Sequence, residues 1–364
     1  MKQISITKLI TTSFLLIIML SSCVTTRKSI TKTPGSQESD LSKIVFYASF
    51  AGNSHNTQPW MVEVCEKENE ILVKPDFSRH LKVVDPTSRG LYISLGAFVE
   101  NLCQASAFYG FSPMTEIYKD HASGHLFVNV KLQKSNSSKG NISSIEKRMT
   151  LRTPYKNTEI KKEHIEVLLD GTDSCVSYIS PSMPQCNYIS QKTLESYSQQ
   201  SNRDDAKKEL AEWIRFSNKL VKENRDGLTT AGMGITGFAG VMVSHMFKPE
   251  DSMKDSFVNK GIDNVRNQVQ NCGGWLLITQ NQDSPESWIQ TGRIYQRINL
   301  RCRDLMIGMH PMNQMIEEAG FESDANRYLA TKGRIQFVAR IGYVDKYPEP
   351  VSVRRELKDF VFAK

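Results

Sequence analysis

The side chains best suited to chemistry lie in a polar loop early in the chain, residues 51–60 (AGNSHNTQPW). Its hydroxyl, amide and imidazole groups can hydrogen-bond the edge of a flat heteroaromatic ring. Pro59 restricts the backbone, and Trp60 can anchor the loop in the core. The loop is therefore predicted to bind a ligand, although a polar loop that only caps a helix above a hairpin is the alternative. The ligand-contacting candidates are Ser54, His55, Asn56 and Gln58.

A second candidate element is basic, residues 148–155 (RMTLRTPY). In an extended segment alternate side chains share one side, so Arg148, Thr150 and Arg152 project together. Two guanidinium groups that flank a hydroxyl suit a phosphate monoester. An exposed basic turn is the alternative reading of these residues taken alone.

Two further sets of residues carry a weaker signal. Arg354 and Arg355 near the end of the chain either grip a phosphate or are solvated. In a tight phosphate site each charge-assisted hydrogen bond contributes about 1.5–3 kcal/mol. Asn313 and Gln314 follow Pro311 and either face a ligand or form the ordinary first turn of a helix.

Residues 232–237 (GMGITG) spell the glycine pattern of a dinucleotide-binding loop. They follow no convincing strand, and no acidic residue stands about 20 positions further on. We therefore expect an apolar flap here. No metal site is predicted, because no CxxC pair is present and His121 and His125 are separated by a turn-forming Ser-Gly.

Residues 54–60 closely resemble the flavin loop of the nitroreductase superfamily, in the branch of the Acg-like nitroreductases of mycobacteria. Residues 148–152 are similar to that family's Arg-x-Ser-x-Arg/Lys element, with Thr150 in the hydroxyl position. One departure is that Gly52 and Asn53 stand where the family usually has Ala-Pro-Ser. The resemblance implies an α+β, nitroreductase-like fold that binds FMN. It puts Arg148, Thr150, Arg354 and Arg355 at the phosphate, Arg152 at the flavin N1/O2 edge, and Asn313 and Gln314 near N5.

In that family the two elements meet across a homodimer interface, whereas here they stand in different parts of one chain. We therefore expect two fused halves, 41–140 and 145–364, that imitate the dimer with one complete flavin site and no obligatory partner chain. The implied function is an FMN-dependent oxidoreductase acting on nitro or quinone-like substrates by alternating half-reactions. NAD(P)H and a quinol both remain open as donors. The alternatives are a flavin-storing or flavin-sequestering protein without turnover, and a scaffold that has lost flavin.

The elements that must position these residues can be read from periodicity. Residues 61–65 and 71–74 form a predicted hairpin, and apolar residues from Leu91 to Phe108 recur at helical spacing up to Gly110. Strands are predicted at 125–132, 274–279 and 334–343, and a long helix from Pro285. Between the strands at 125–132 and 274–279, a loop with two prolines is predicted, followed by a helix over 204–221. Mixed helices and short strands indicate an α+β fold.

Length and charge narrow the partner classes. The 364 residues suffice for one large core or two smaller ones, and the formal charge of +7 is spread along the chain. A phosphate group on a small cofactor would be a sufficient anionic partner for this moderate positive charge. No nucleic-acid-binding motif is present in the sequence.

The first residues indicate export. Lys2 and Lys8 precede an apolar run, residues 9–20, which is short for a membrane span of about 20 residues. Leu-Ser-Ser-Cys then resembles the bacterial lipoprotein cleavage box. This implies a signal peptide over 1–22, a lipidated Cys23, a flexible tether over 23–40 and a membrane-anchored, periplasm-facing protein of the cell envelope. A plain signal peptide or an uncleaved anchor is the alternative.

Six cysteines remain after Cys23. An envelope location permits disulfides, and Cys175 and Cys186 either pair across a Ser/Pro-rich loop or are simply buried small side chains.

Overall fold

The computed structural model describes residues 31, 33–135, 140–172 and 174–363. The predicted signal peptide, Cys23 and half of the tether lie outside these residues. Within the described part, no helix is both long enough and apolar enough to cross a membrane.

The first unit is an antiparallel sheet covered by one long helix. Trp60, Val62 and Val64 alternate with partly exposed residues and face the core, as a half-buried strand requires. The predicted hairpin is confirmed, with Val62 paired to Val73. Short 3₁₀ helices at Ser54–Asn56 and Phe77–Arg79 flank it. The elements are α1 Asp40–Ala48, β1 Trp60–Cys65, β2 Glu70–Pro75, α2 Arg89–Phe108, β3 Phe111–Lys119 and β4 Leu126–Lys134.

The second unit has the same chain order and the same sheet order. In the first unit the sheet runs β1-β2-β4-β3, and in the second it runs β5-β8-β10-β9, antiparallel at each of these pairs. The α+β prediction is therefore confirmed. A short helix, α3 (Ile142–Lys147), precedes the second unit, whose own elements are α4 Lys162–Leu169, β5 Val176–Ile179, β8 Gly274–Gln280, α10 Pro285–Asp304, β9 Ile307–Pro311 and β10 Arg334–Tyr343.

The two units meet where α2 crosses α10, at a pair of glycines. A Cβ on Gly96 would lie 2.0 Å from the carbonyl oxygen of Ile289, and a Cβ on Gly292 would lie 2.0 Å from that of Ile93. The contacts are reciprocal, as contacts across a two-fold axis are. Only glycine allows two helix backbones to approach so closely at these positions.

A long insertion distinguishes the second unit. The first unit joins β1 to β2 by a short turn, whereas some ninety residues separate β5 from β8. The prediction of a proline-containing loop here was wrong, because Pro184 occupies the first position of a helix, where proline is favoured. The predicted helix over 204–221 was also wrong, since it breaks at Trp213. The insertion holds α5 Pro184–Asn202, α6 Asp204–Glu212, β6 Ile214–Arg215, α7 Asn218–Asn224, β7 Leu228–Thr229, α8 Gly237–Met246, a 3₁₀ helix at Pro249–Met253 and α9 Asp255–Gln270.

The C-terminal tail crosses back to the first unit. After a 3₁₀ helix at Leu357–Asp359, the last strand, β11 (Val361–Ala363), pairs in parallel with β1, and Phe360 is fully buried beside it. A tail that follows the second unit in sequence thus completes the sheet of the first.

Candidate functional site

The polar loop is held in an unusual backbone conformation. His55, Asn56 and Gln58 have φ values of 45°, 55° and 53°. Asparagine adopts this left-handed region fairly readily, but histidine and glutamine do so at a cost that surrounding contacts must offset. Asn53 Oδ1 accepts a hydrogen bond from the Gln58 amide at 2.9 Å and closes the loop on itself.

Two of the predicted ligand-contacting amides instead fasten the loop to the protein. Asn56 Nδ2 donates to the carbonyl oxygens of Gly227 and Val353, both at 3.2 Å. Gln58 is fully buried, and its Nε2 donates to the carbonyl oxygen of Arg225 at 2.9 Å. These side chains therefore join the loop to the insertion and to the tail.

The paired arginines of the tail serve the same framework. Arg354 is 2% exposed, and its Nε donates to the carbonyl oxygen of Ser49 at 2.6 Å, at the end of α1. Its other nitrogens donate to Asn56 Oδ1 and to the carbonyl oxygens of Phe50, Ala51 and Val353. Arg355 donates to the carbonyl oxygens of Gln58 and Asp359. Because both guanidinium groups bind protein acceptors, this geometry does not support the predicted phosphate-gripping role.

The basic segment contacts the residue that precedes the polar loop. Arg148 is 3% exposed, and its Nη2 donates to the carbonyl oxygen of Phe50 at 2.9 Å. Its Nε and Nη1 are buried and have no hydrogen-bond partner. Burial, and secondarily the charge of Arg152, lower the pKa of His55 to about 4, so His55 is neutral at pH 7. Thr150, which stands between Arg148 and Arg152 in the sequence, is half-buried.

Arg152 is enclosed by the insertion. Arg152 Nη1 donates to the carbonyl oxygen of Gly232 at 2.6 Å. Gln268 Nε2 donates to the carbonyl oxygen of Arg152 at 2.5 Å. Gly234, at φ 85°, lies against the Arg152 side chain. The predicted apolar flap thus covers the basic segment.

Sequence reasoning missed a second buried cation in this cluster. Arg340 on β10 is fully buried, donates to the carbonyl oxygen of Thr153 at 2.8 Å and lies over the Tyr155 ring at 4.1 Å. Its Nε donates to His310 Nδ1 at 3.3 Å. Burial lowers the pKa of Arg340, and burial together with Arg340 and Arg152 lowers that of His310 well below its usual value. The available signal was an arginine in the middle of the apolar run that follows Gln336 in this strand.

The charge balance of this cluster is unusual. Many other arginines of the described chain pair with carboxylates, as Arg297 does with Glu100 and Arg215 with Asp226. No ion pair of the described residues gives Arg148, Arg152 or Arg340 such a partner. A buried charge is costly unless it is paired, so the cluster favours an anionic ligand.

Asn313 and Gln314, at the start of α11 (Gln314–Glu317), differ in their contacts. Asn313 Oδ1 accepts a hydrogen bond from the Val338 amide at 2.8 Å, so Asn313 acts within the fold. Gln314 Oε1 is buried without a hydrogen-bond partner.

Sequence reasoning missed an ionisable acid, Glu317. Burial raises the pKa of Glu317 to about 7, with Arg89 opposing the shift and Asp85 adding to it. Asp85 in turn neighbours the loop, because a Cβ on Gly90 would lie 3.1 Å from Ser54 Oγ and 3.2 Å from Asp85 Oδ2.

A separate cleft of about 390 Å³ lies on another face of the basic segment, lined by Thr153, Tyr155, Lys156, Asp345 and Lys346 among others. None of its lining residues belongs to the polar loop. The cluster described above, which gathers the buried cations, is therefore the candidate site.

Comparisons with known proteins find weakly similar solved structures but no related sequence. No protein-family model matches the sequence, and no curated protein does. Among solved structures, it is similar to the FMN-dependent nitroreductase NfnB from Mycobacterium smegmatis, at TM-score 0.37 and 12% identity over 59% of this chain and 94% of that one. It is also similar to a candidate nitroreductase from Anabaena variabilis, at TM-score 0.40 and 13% identity over 84% and 74% of the two chains. A third is the NADPH:FMN oxidoreductase from Vibrio harveyi, at TM-score 0.29 and 12% identity over 59% and 72%. At these scores the likeness carries no functional weight, and function is argued from the residues of this chain.

Proposed function

We propose that this protein is an FMN-binding oxidoreductase of nitroreductase type. The observation that supports this most is that the basic segment lies beside the polar loop, and that its Arg148 and Arg152, like the nearby Arg340, have no carboxylate partner among the described residues. Such a cluster suits a ligand that combines a phosphate with a polar aromatic ring.

The atoms without partners fit FMN by type. Arg148 Nε and Nη1 are donors that suit its phosphate, and His55 Nδ1 suits a polar ring edge. The buried oxygens Gln268 Oε1 and Gln314 Oε1 are acceptors that suit ring N–H groups. Arg148 and Thr150 would hold the phosphate, and Arg152 with His55 would face the ring.

Bound FMN would supply the redox chemistry, accepting a hydride from a donor and passing electrons to an electron-poor acceptor. The chain's own residues would bind and orient it. The positive charge of Arg152 would favour electron density on the nearby ring edge. The flap at Gly232 would exclude water from Arg152, and Glu317 can hold or release a proton near neutral pH.

One complete site per chain is proposed, since the second unit has no counterpart of the polar loop. Eleven residues separate α1 from β1, whereas only six residues, 170–175, separate α4 from β5. The chain would then act as a monomer that imitates a dimer. A nitro or quinone-like compound is the proposed acceptor, and NAD(P)H or a quinol the donor.

A flavin-sequestering protein without turnover is the second candidate, favoured by the flap that contacts Arg152 directly. Both candidates are proposed to operate at the cell envelope, anchored through a lipidated Cys23. Mass analysis of the N-terminal peptide tests the anchor, because a diacylated Cys23 supports it and an unmodified, uncleaved leader contradicts it.

The proposed function is tested by spectroscopy of the purified full chain. Oxidised flavin absorption near the usual flavin bands, or recovery of that spectrum on adding FMN, is expected. A colourless protein that does not bind added FMN would overturn the proposal. Stopped-flow mixing then separates the two candidates: bleaching by NAD(P)H or a quinol and reoxidation by a nitroaromatic indicate the enzyme. Flavin that stays oxidised with every donor indicates sequestration.

A further inference from the structure

Two cysteines stand near the two ends of the insertion. Cys186 lies in the first turn of α5, just after the chain leaves β5. Cys272 lies between the end of α9 and the start of β8, where the chain returns to the sheet. Everything that covers Arg152 from the insertion, including Gly232 and Gln268, lies between them.

Contacts independent of the thiols hold these two places together. Cys186 and Ser190 are one turn apart and share a face of α5. Trp275 Nε1 donates to Ser190 Oγ at 3.2 Å, and Ser190 Oγ donates to the carbonyl oxygen of Val269 at 3.4 Å. The Cys272 thiol lies 3.8 Å from that same carbonyl oxygen. The face of α5 that carries Cys186 is thus packed on the residues around Cys272.

Both thiols are shielded from solvent, and each acts on the pKa of the other. Cys186 is 6% exposed and Cys272 is 4% exposed; the Cys272 thiol raises the pKa of Cys186, and the Cys186 thiol lowers the pKa of Cys272. The other candidate partner of Cys186 is engaged elsewhere, because the Cys175 thiol donates to the carbonyl oxygen of Thr172 at 2.7 Å. Cys302 lies on α10 and is buried in the core of the first unit and its partner helix.

We propose that Cys186 and Cys272 form a disulfide that closes the base of the insertion. The two thiols lose two protons and two electrons as the sulfur–sulfur bond forms. The oxidant is a disulfide, such as that of a thiol–disulfide oxidoreductase, which is reduced to two thiols. The Cys186 thiol lowers the pKa of the Cys272 thiol, which makes Cys272 the better attacking thiolate.

A covalent link at this place restricts the unfolded insertion to a closed loop. The folded state gains relative to the unfolded chain, because closing a long loop removes much of its conformational freedom. Oxidation is expected to raise the melting temperature by about 5 °C. It should also slow amide exchange in α5 and α9, which the link joins at their bases.

Peptide mapping of the full chain tests this directly, without any substitution. The chain is oxidised with glutathione disulfide, its remaining thiols are blocked under denaturing conditions, and it is digested without reductant. A linked peptide pair containing Cys186 and Cys272, lost on reduction, is the expected result. Blocked Cys186 and Cys272 in the oxidised protein, or a Cys175–Cys186 pair, would overturn the proposal.

Variants then test the effect on the insertion. Cys272→Ser should abolish the oxidation-dependent rise in melting temperature, and Cys186→Ser should do the same. Cys302→Ser is the matched control, since it removes a buried thiol that contacts no other cysteine, and it should retain the rise. Equal amide exchange of 184–270 in oxidised and reduced protein would show that the link does not fasten the insertion.

Discussion

At the scale of single residues, the arginines of this protein fall into two groups that the sequence does not distinguish. Arg354 donates hydrogen bonds to backbone carbonyl oxygens at the end of α1, where a positive charge also interacts favourably with the helix dipole. Arg148 shares one of those carbonyls, that of Phe50, yet keeps two buried nitrogens without partners. We therefore assign Arg354 to stability and Arg148 to binding.

The first prediction contrasts these two arginines. Arg148→Met should weaken FMN binding about ten- to a hundredfold, the equivalent of about 1.5–3 kcal/mol for lost charge-assisted hydrogen bonds. Arg354→Met should instead lower the free energy of unfolding by about 3 kcal/mol, because it leaves several buried carbonyls unsatisfied. Flavin fluorescence titration and urea unfolding measure the two effects. Arg327→Met, at an exposed arginine paired with Asp324, is the control and should change neither.

The second prediction concerns Glu317, whose pKa is raised to about 7 in the folded protein. Between the pKa of an unfolded glutamate, about 4.5, and about 7, the folded state holds a proton that the unfolded state has released. Stability contributed by protonated Glu317 is therefore present at low pH and lost as the pH rises through that window. Glu317→Gln should flatten this part of the urea-unfolding profile between pH 5 and pH 8. An unchanged slope would show that Glu317 does not titrate there.

At the scale of helices and strands, the sequence predicted those elements whose hydrophobic residues recur at a regular spacing. The hairpin of β1 and β2 alternates buried and exposed residues, and α2 has apolar residues at helical spacing, so both were predictable. The helix α5 was missed because its residues are mostly polar and few of them are buried.

The site was predictable in its two main segments and not in its details. The meeting of residues 54–58 with 148–152 followed from the motifs. The roles of Asn56, Gln58 and Arg354 depend on contacts with residues more than a hundred positions away, and no spacing rule indicates them.

The third prediction concerns the crossing of α2 and α10. A methyl group at Gly96 would lie 2.0 Å from the Ile289 carbonyl oxygen, so the helices must separate to admit it. Gly96→Ala should cost about 2–4 kcal/mol of stability despite the higher helix propensity of alanine. Gly292→Ala should behave alike, because its contact is the reciprocal one. Gly35→Ala is the control, since nothing lies within 4 Å of its added carbon. Melting curves that match wild type for Gly96→Ala would contradict the close crossing.

At the scale of the whole molecule, two units of one topology have become unequal. The first carries the polar loop between α1 and β1. The second carries the basic segment before α4 and the insertion between β5 and β8. The tail returns through Arg354 and β11 to the first unit, so each unit depends on the other for a complete sheet or a complete site. A symmetric pair would offer two sites of equal kind, whereas here the polar loop and the basic segment occur once each, in different units.

The fourth prediction is the stoichiometry that follows from this asymmetry. The polar loop occurs once, and the six residues 170–175 that stand between α4 and β5 include no imidazole or side-chain amide group. We therefore expect one FMN per chain in a monomer, measured by native mass spectrometry together with released flavin. His55→Ala combined with Arg148→Met should then reduce bound flavin toward zero rather than to one half of the wild-type value, because no second site remains to hold it. Two flavins per chain, or half the flavin retained in that double variant, would show that the second unit has a working site of its own.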